Sequence, residues 1–268
     1  MCRSVPILRA AVAAIGFLAA LTACTTSSPA PAAPAVAEEL TEPQTAPEAA
    51  ETWRLSSGGL VIHVGKTGRL ARLGHNHLVS STQLTGNAWV EADQTLRAQV
   101  QVLVADLKVD DPSLRAVYNT PSNATWADTY TSVPSAKNIA DTRKNMLGPR
   151  VLDAKNHPAL LVSMTAPAAG AEFDAAGAGN INATLLITVR GGQSQIPIAL
   201  LWERTGPDRM AWQTEFKTSH SALGLTPFSA LGGALAVADD MTLEVRGVLE
   251  RSGTVQTDDP MVKHLSEN

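Results

Sequence analysis

From residue 60 onward the chain repeats largely with period two. Leu60, Ile62 and Val64 stand on one side of a short segment, the spacing of a β-strand, whose successive side chains point to opposite faces. Gly86-Asn87-Ala88-Trp89-Val90-Glu91 reads as a second strand. The cleanest alternation runs from Leu96 to Val104, with Leu96, Ala98, Val100, Val102 and Val104 facing one way and Arg97, Gln99 and Gln101 the other. The apolar phase then slips by one residue, to Leu107 and Val109 across Asp106 and Lys108. Such a slip predicts a β-bulge or bend near Ala105.

The pattern then lapses. Residues 111–135 are rich in Thr, Ser, Asn and Pro and follow no period, so they read as a long loop of the kind that is often functional or mobile. Asp110-Asp111 is expected to open that loop as a solvated pair. Ser135 or Asp141 is placed to cap a helix that ends near Gly148-Pro149, with Ile139, Arg143, Met146 and Leu147 at helical spacing. A turn over 152–158 leads into a strand from Ala159 to Thr165.

Alternation then resumes. Ile181, Ala183, Leu185, Ile187 and Val189 share a face. Gly191-Gly192-Gln193-Ser194 turns the chain into Ile196–Trp202, a hairpin signal. Pro197 inside that second strand argues for an edge or a barrel rim. Trp212, Thr214 and Phe216 alternate, and Met241, Leu243, Val245, Gly247 and Leu249 close the pattern. About eight strands separated by turn signals, with one helical insertion, predict an all-β antiparallel sandwich or barrel.

The first part of the chain has a different character. Arg3 and Arg9 precede an apolar run, Ala10 to Ala20, too short to span a bilayer and of the length of a signal-peptide core. It ends in Leu21-Thr22-Ala23-Cys24, which resembles the bacterial lipobox. Residues 1–23 are therefore expected to be removed and Cys24 acylated. The chain has two cysteines, and loss of Cys2 with the leader would leave no pair for an intramolecular disulfide. More than one acyl chain gives stable anchoring. Thr25 follows the cysteine, and the absence of Asp there favours, by analogy with enteric bacteria, the outer membrane facing the periplasm.

Residues 24–52 are Ala/Pro-rich, with Pro29, Pro31, Pro34, Pro43 and Pro47, and are expected to be a disordered tether. The segment 53–251 is the size of one domain, and 252–268 reads as a flexible tail. Net charge is −4 with mixed signs, and there are only five Trp, four Phe and two Tyr. Nucleic-acid binding is thereby disfavoured.

The order of these segments resembles the YceI-like proteins. The residues that carry the resemblance span the domain. They are the opening strand Leu60–Gly65; the passage Asn145-Met146 through Val151-Leu152-Asp153-Ala154 to His157-Pro158, with His157 in place of the usual aromatic; and the strand Asn182–Arg190 with its Gly-Gly turn. His220–Leu225 followed by Met241–Glu250 completes the pattern. Gly74-His75-Asn76-His77 is similar to an element of a subgroup of that family. The resemblance implies an extended lipocalin-like barrel of eight antiparallel strands around an apolar tunnel. The tunnel would hold a long-chain lipid such as an isoprenoid or a quinone. The family has no agreed catalytic residues to carry over, and no cofactor is expected. By alternation, Val100, Val102, Val104, Ile181, Leu185, Ile187 and Val189 are the expected lining.

His75 and His77 are the sharpest chemical signal. On a strand they would share a face, as a rim pair, as contacts for a ligand headgroup, or as half a metal site completed by His63, His157 or His220. Nucleophilic catalysis has little support. Ser219-His220-Ser221 are sequence neighbours only, whereas triad partners meet in space, and no Gly-x-Ser-x-Gly elbow occurs. The alternatives to a lipid carrier are therefore a metal protein or enzyme built on the histidine pair, and a filled barrel serving as an envelope interaction module.

Overall fold

The computed structural model describes residues 52–166 and 177–252. The expected leader, the acylated Cys24, the tether up to Glu51 and the tail beyond Ser252 lie outside the described residues. In chain order the elements are β1 (Thr52–Thr67), β2 (His77–Ser81), β3 (Leu84–Val90), β4 (Leu96–Leu103), β5 (Lys108–Val109), α1 (Pro112–Tyr118), α2 (Ala136–Leu147), β6 (Ala159–Ala166), β7 (Ala178–Val189), β8 (Gly192–Gly206), β9 (Arg209–Ser219), β10 (Ser229–Ala230) and β11 (Leu235–Arg251).

Hydrogen-bonded neighbours run β11-β9-β8-β7-β6-β4-β3-β1, and β1 pairs back onto β11. Eight antiparallel strands thus close on themselves, and closure removes the open edges that a sheet would otherwise present. The domain is an all-β, lipocalin-like barrel. The other three strands are short additions: β2 lies along Leu60–Val64 of β1, β5 along β2, and β10 along the start of β11.

Inward positions follow the apolar alternation. In β1 the phase changes between Trp53/Leu55 and Leu60/Ile62/Val64. The pairing with β11 shifts register between Leu55 and Ser57, and this bulge keeps both sets facing inward. The slip near Ala105 has another cause. β4 ends at Leu103, and a single 3-10 turn, Val104–Asp106, rotates the chain so that Leu107 is buried. The expected bulge or bend is thus a helical turn.

The β7–β8 hairpin is tighter than the Gly-Gly-Gln-Ser reading. Val189 pairs with Gly192, leaving Arg190 (φ 52°) and Gly191 (φ 76°) as a two-residue loop. Two successive left-handed residues match the twist of the flanking strands. Pro197 pairs with Thr184 of β7, while the β8–β9 register runs from Leu201 to Gly206. Its missing N–H therefore falls where β8 has no β9 partner.

The described residues hold two α-helices where one was expected. α1 occupies the start of the supposed loop. The Asp111 side chain accepts from the backbone N–H groups of Ser113 and Leu114, and Pro112 takes the first turn, a favoured arrangement because its lost N–H has no helical partner there. α2 is capped by Ser135, whose hydroxyl accepts from Asn138 N–H. Its Ile139, Met146 and Leu147 pack against the barrel core.

Candidate functional site

The barrel encloses an apolar cavity of about 230 Å³. Its lining follows β1 from Trp53 to Val64 and β11 from Met241 to Leu249, so it runs along most of the length of the barrel strands. One end is walled by Trp53, Trp202, Trp212 and Met210. At the other end stand Met146 of α2, Val151, Leu152, Leu223 and Leu225. The buried polar side chains in the lining are Thr214 and His220. Thr214 Oγ1 donates to the Ala199 carbonyl, 2.8 Å away, so its proton is already used. Gly86 permits the close approach of β4, since a Cβ there would run into the Gln99 carbonyl.

Val100, Val102, Leu185, Ile187 and Val189 line this cavity. Ile181 and Val104 are buried in the surrounding core but lie outside the lining. Val104 is displaced because it belongs to the 3-10 turn and has left the alternation of β4. The lining also takes in Trp202, Trp212, Ile62 of β1 and the inward face of β11, which extend alternations visible in the sequence, and Trp53, which lies across the bulge of β1 in the other phase.

A second cluster sits on the outer wall. His63 points outward from β1 and is 3 % exposed. Trp126 stacks on its ring, with centroids 3.8 Å apart, and Tyr118 meets it edge-on at 4.8 Å. His63 Nε2 lies 2.8 Å from Glu244 Oε1 and Nδ1 lies 2.7 Å from the Tyr130 hydroxyl. Burial works against the Glu244 carboxylate, yet hydrogen bonds from His63 and Tyr118 hold its pKa below the ordinary value. An ionised carboxylate only accepts, so Nε2–H donates to Glu244 and, in the neutral ring, Nδ1 accepts from Tyr130 O–H. Burial pushes the pKa of both tyrosines up, Tyr118 with help from its bond to Glu244.

Asp110 pins the same segment from the other side. It is 1 % exposed. Its Oδ1 accepts from Arg115 Nη1 and Leu78 N–H, and its Oδ2 from His77 Nδ1. Burial alone would raise its pKa, but the bonds from His77 and Leu78 and the charges of His77 and Arg115 hold it below the ordinary carboxylate value. Arg115 also donates to the carbonyls of Asn76, Tyr130 and Ser132. Asp110 is therefore the buried centre of a network and not half of a solvated pair. Through Arg115 it ties α1 and residues 130–132 to β2, while Tyr118, Trp126 and Tyr130 are held to β1 and β11 by His63 and Glu244.

His77 opens β2, whereas His75 precedes the strand and bonds through Nδ1 to the Ser132 hydroxyl at 2.8 Å. The two rings lie 6.4 Å apart. Burial, then the charges of His77, Lys66 and Arg115, lower the pKa of His75. The structure separates the other candidate ligands: His63 lies under Trp126, His220 lines the cavity, and His157 stands by Gly191. Among the described residues no three His, Cys, Asp or Glu side chains converge on one point.

Tyr130→Phe tests the outer cluster. The ring and its contact with Arg115 remain, but His63 Nδ1 loses its only donor among the described residues. An unpaired buried acceptor costs about 1–3 kcal/mol. Urea unfolding is expected to show that loss, and a variant as stable as the parent would refute this reading of the cluster.

No protein-family model matches the chain, and comparison with curated proteins gave no match. Solved structures do. A polyisoprenoid-binding domain from Saccharophagus degradans, implicated in plant cell wall breakdown, aligns with TM-score 0.49 and 10 % identity, over 75 % of this chain and 98 % of that one. BcnA of Burkholderia cenocepacia aligns with TM-score 0.46 and 13 % identity, over 71 % and 95 %. The YceI protein of Campylobacter jejuni aligns with TM-score 0.38 and 11 % identity, over 65 % and 84 %. The chain is similar to YceI-like proteins.

Proposed function

We propose that this protein is a membrane-anchored envelope lipoprotein whose barrel holds a long-chain apolar lipid, as a carrier or a sequestering protein without a catalytic step of its own. The observation that carries the reading is the elongated cavity, walled almost entirely by aliphatic and indole side chains. Such a space suits an alkyl or prenyl chain, because each buried methylene contributes roughly 0.8 kcal/mol. The isoprenoid or quinone identity of the chain is what the sequence resemblance implies. On this reading the anchor is Cys24 at the end of the lipobox-like Leu21-Thr22-Ala23-Cys24, and Thr25 in place of an Asp after it favours the outer membrane, with the barrel facing the periplasm.

Native mass spectrometry tests the cargo. The full chain carrying Cys24→Ala has no acyl group to confuse the mass. Exported to a bacterial periplasm and purified without detergent, it is expected to show an added mass that organic solvent extracts and fragmentation identifies as a long-chain lipid. A bare polypeptide mass would sink the carrier reading. An added metal mass lost with chelator and with His75→Ala would replace it by a histidine site.

A further inference from the structure

One polar group in the cavity wall is already oriented. The His220 side chain lines the cavity and is 8 % exposed. Its Nδ1 lies 3.0 Å from the Asp239 carbonyl oxygen. A carbonyl only accepts, so Nδ1 carries the proton and, in the neutral ring, Nε2 is left with a lone pair. Nε2 has no hydrogen-bond partner among the described residues.

The ring is also held in place. His220 N–H donates to the same Asp239 carbonyl, and the His220 carbonyl accepts from Leu223 and Leu225 N–H. The Asp239 carboxylate is occupied by Ser221 N–H and Oγ. Nothing else in this turn competes for Nε2. Thr214, the other buried polar side chain of the lining, has spent its proton on Ala199, so it has none to offer this nitrogen or a ligand.

We propose that His220 Nε2 accepts a hydrogen bond from a terminal hydroxyl of the bound lipid. The ligand class is then an apolar chain ending in an alcohol or phenol, with its polar end by Leu223 and Leu225 and its tail toward Trp53 and Trp202. A carbonyl- or ether-ended chain offers no proton to this nitrogen. This inference rests on the apolar-cargo reading and adds the ligand's polarity and direction to it.

The test uses the full chain with Cys24→Ala and three probes: geranylgeraniol, its methyl ether and the corresponding hydrocarbon. Binding is followed by the fluorescence of the lining tryptophans. The alcohol is expected to bind about ten-fold more tightly than the ether, the effect of one hydrogen bond. That preference should vanish in His220→Phe, which keeps a ring of similar size, while ether affinity stays the same. His220→Gln, which retains an acceptor, should restore part of it. Equal affinity for alcohol and ether in the parent protein overturns the proposal, as does a preference that survives His220→Phe. If none of the three probes binds, the apolar-cargo reading itself fails and takes the proposal with it.

Discussion

Asp110→Ala is expected to destabilise the barrel by about 3–5 kcal/mol, the cost of leaving a buried partner charge uncompensated. For a domain of this size that lowers Tm by about 10 °C. The partner is Arg115, whose side chain is 6 % exposed and 2.5 Å from a carboxylate with no exposure. His77 and Leu78 N–H lose an acceptor as well. The carboxylate joins β2, the start of α1 and, through Arg115, residues 130–132.

The effect depends on pH with a definite sign. The folded-state pKa of Asp110 lies below its ordinary value. Its contribution is therefore complete above the unfolded pKa of about 3.9 and lost as pH falls through the lower, folded value. Unfolding curves of the parent and of Asp110→Asn should be farthest apart near neutrality and converge in acid. A constant gap across that range, or no gap at pH 7, would show that the carboxylate is not stabilising the fold.

Val100→Trp is expected to abolish cargo binding while leaving the barrel folded. Val100 faces Gly86 across the β3–β4 pair, midway along the cavity. An indole there takes space that the ligand chain would fill. Displacing four methylenes removes roughly 3 kcal/mol, more than a hundred-fold in Kd. The cost to the fold is smaller, about 1–3 kcal/mol if the core is overpacked. Mass spectrometry of the variant should find no extractable lipid where the parent carries one. Undiminished lipid would place the cargo elsewhere on the protein.

The barrel was legible in the sequence because its interior must be apolar on alternate residues. β7 and β11 show this plainly, with Ile181 to Val189 and Met241 to Leu249 in phase. The outer clasp was not legible. Asp110-Asp111 looks like surface charge, and the groups that bury Asp110 come from separate elements. Two signals could have found part of it. Asp111-Pro112 is a helix start, which would place Arg115 on the first turns of α1. Leu60-Val61-Ile62-His63-Val64 has an apolar residue at the outward position of Val61, and apolar residues on both faces mark a strand covered on both sides. His220 gave no such sign. Its neighbour Asp239 is distant in sequence, and its place in the cavity wall depends on how β9 and β11 meet.

The last seam of the barrel joins its first strand to its last, with Trp53 opposite Arg251 and Val64 opposite Met241. Bringing those ends together requires closing a loop of nearly the whole domain, and such contacts form late and slowly. Until β11 arrives, β1 and β9 each present a raw edge that another chain can pair with. Refolding should therefore be rate-limited by this seam, and chains stopped short of β11 should aggregate. A long apolar lipid present at that moment would be wrapped as the wall closes, so loading and the final folding step would be a single event.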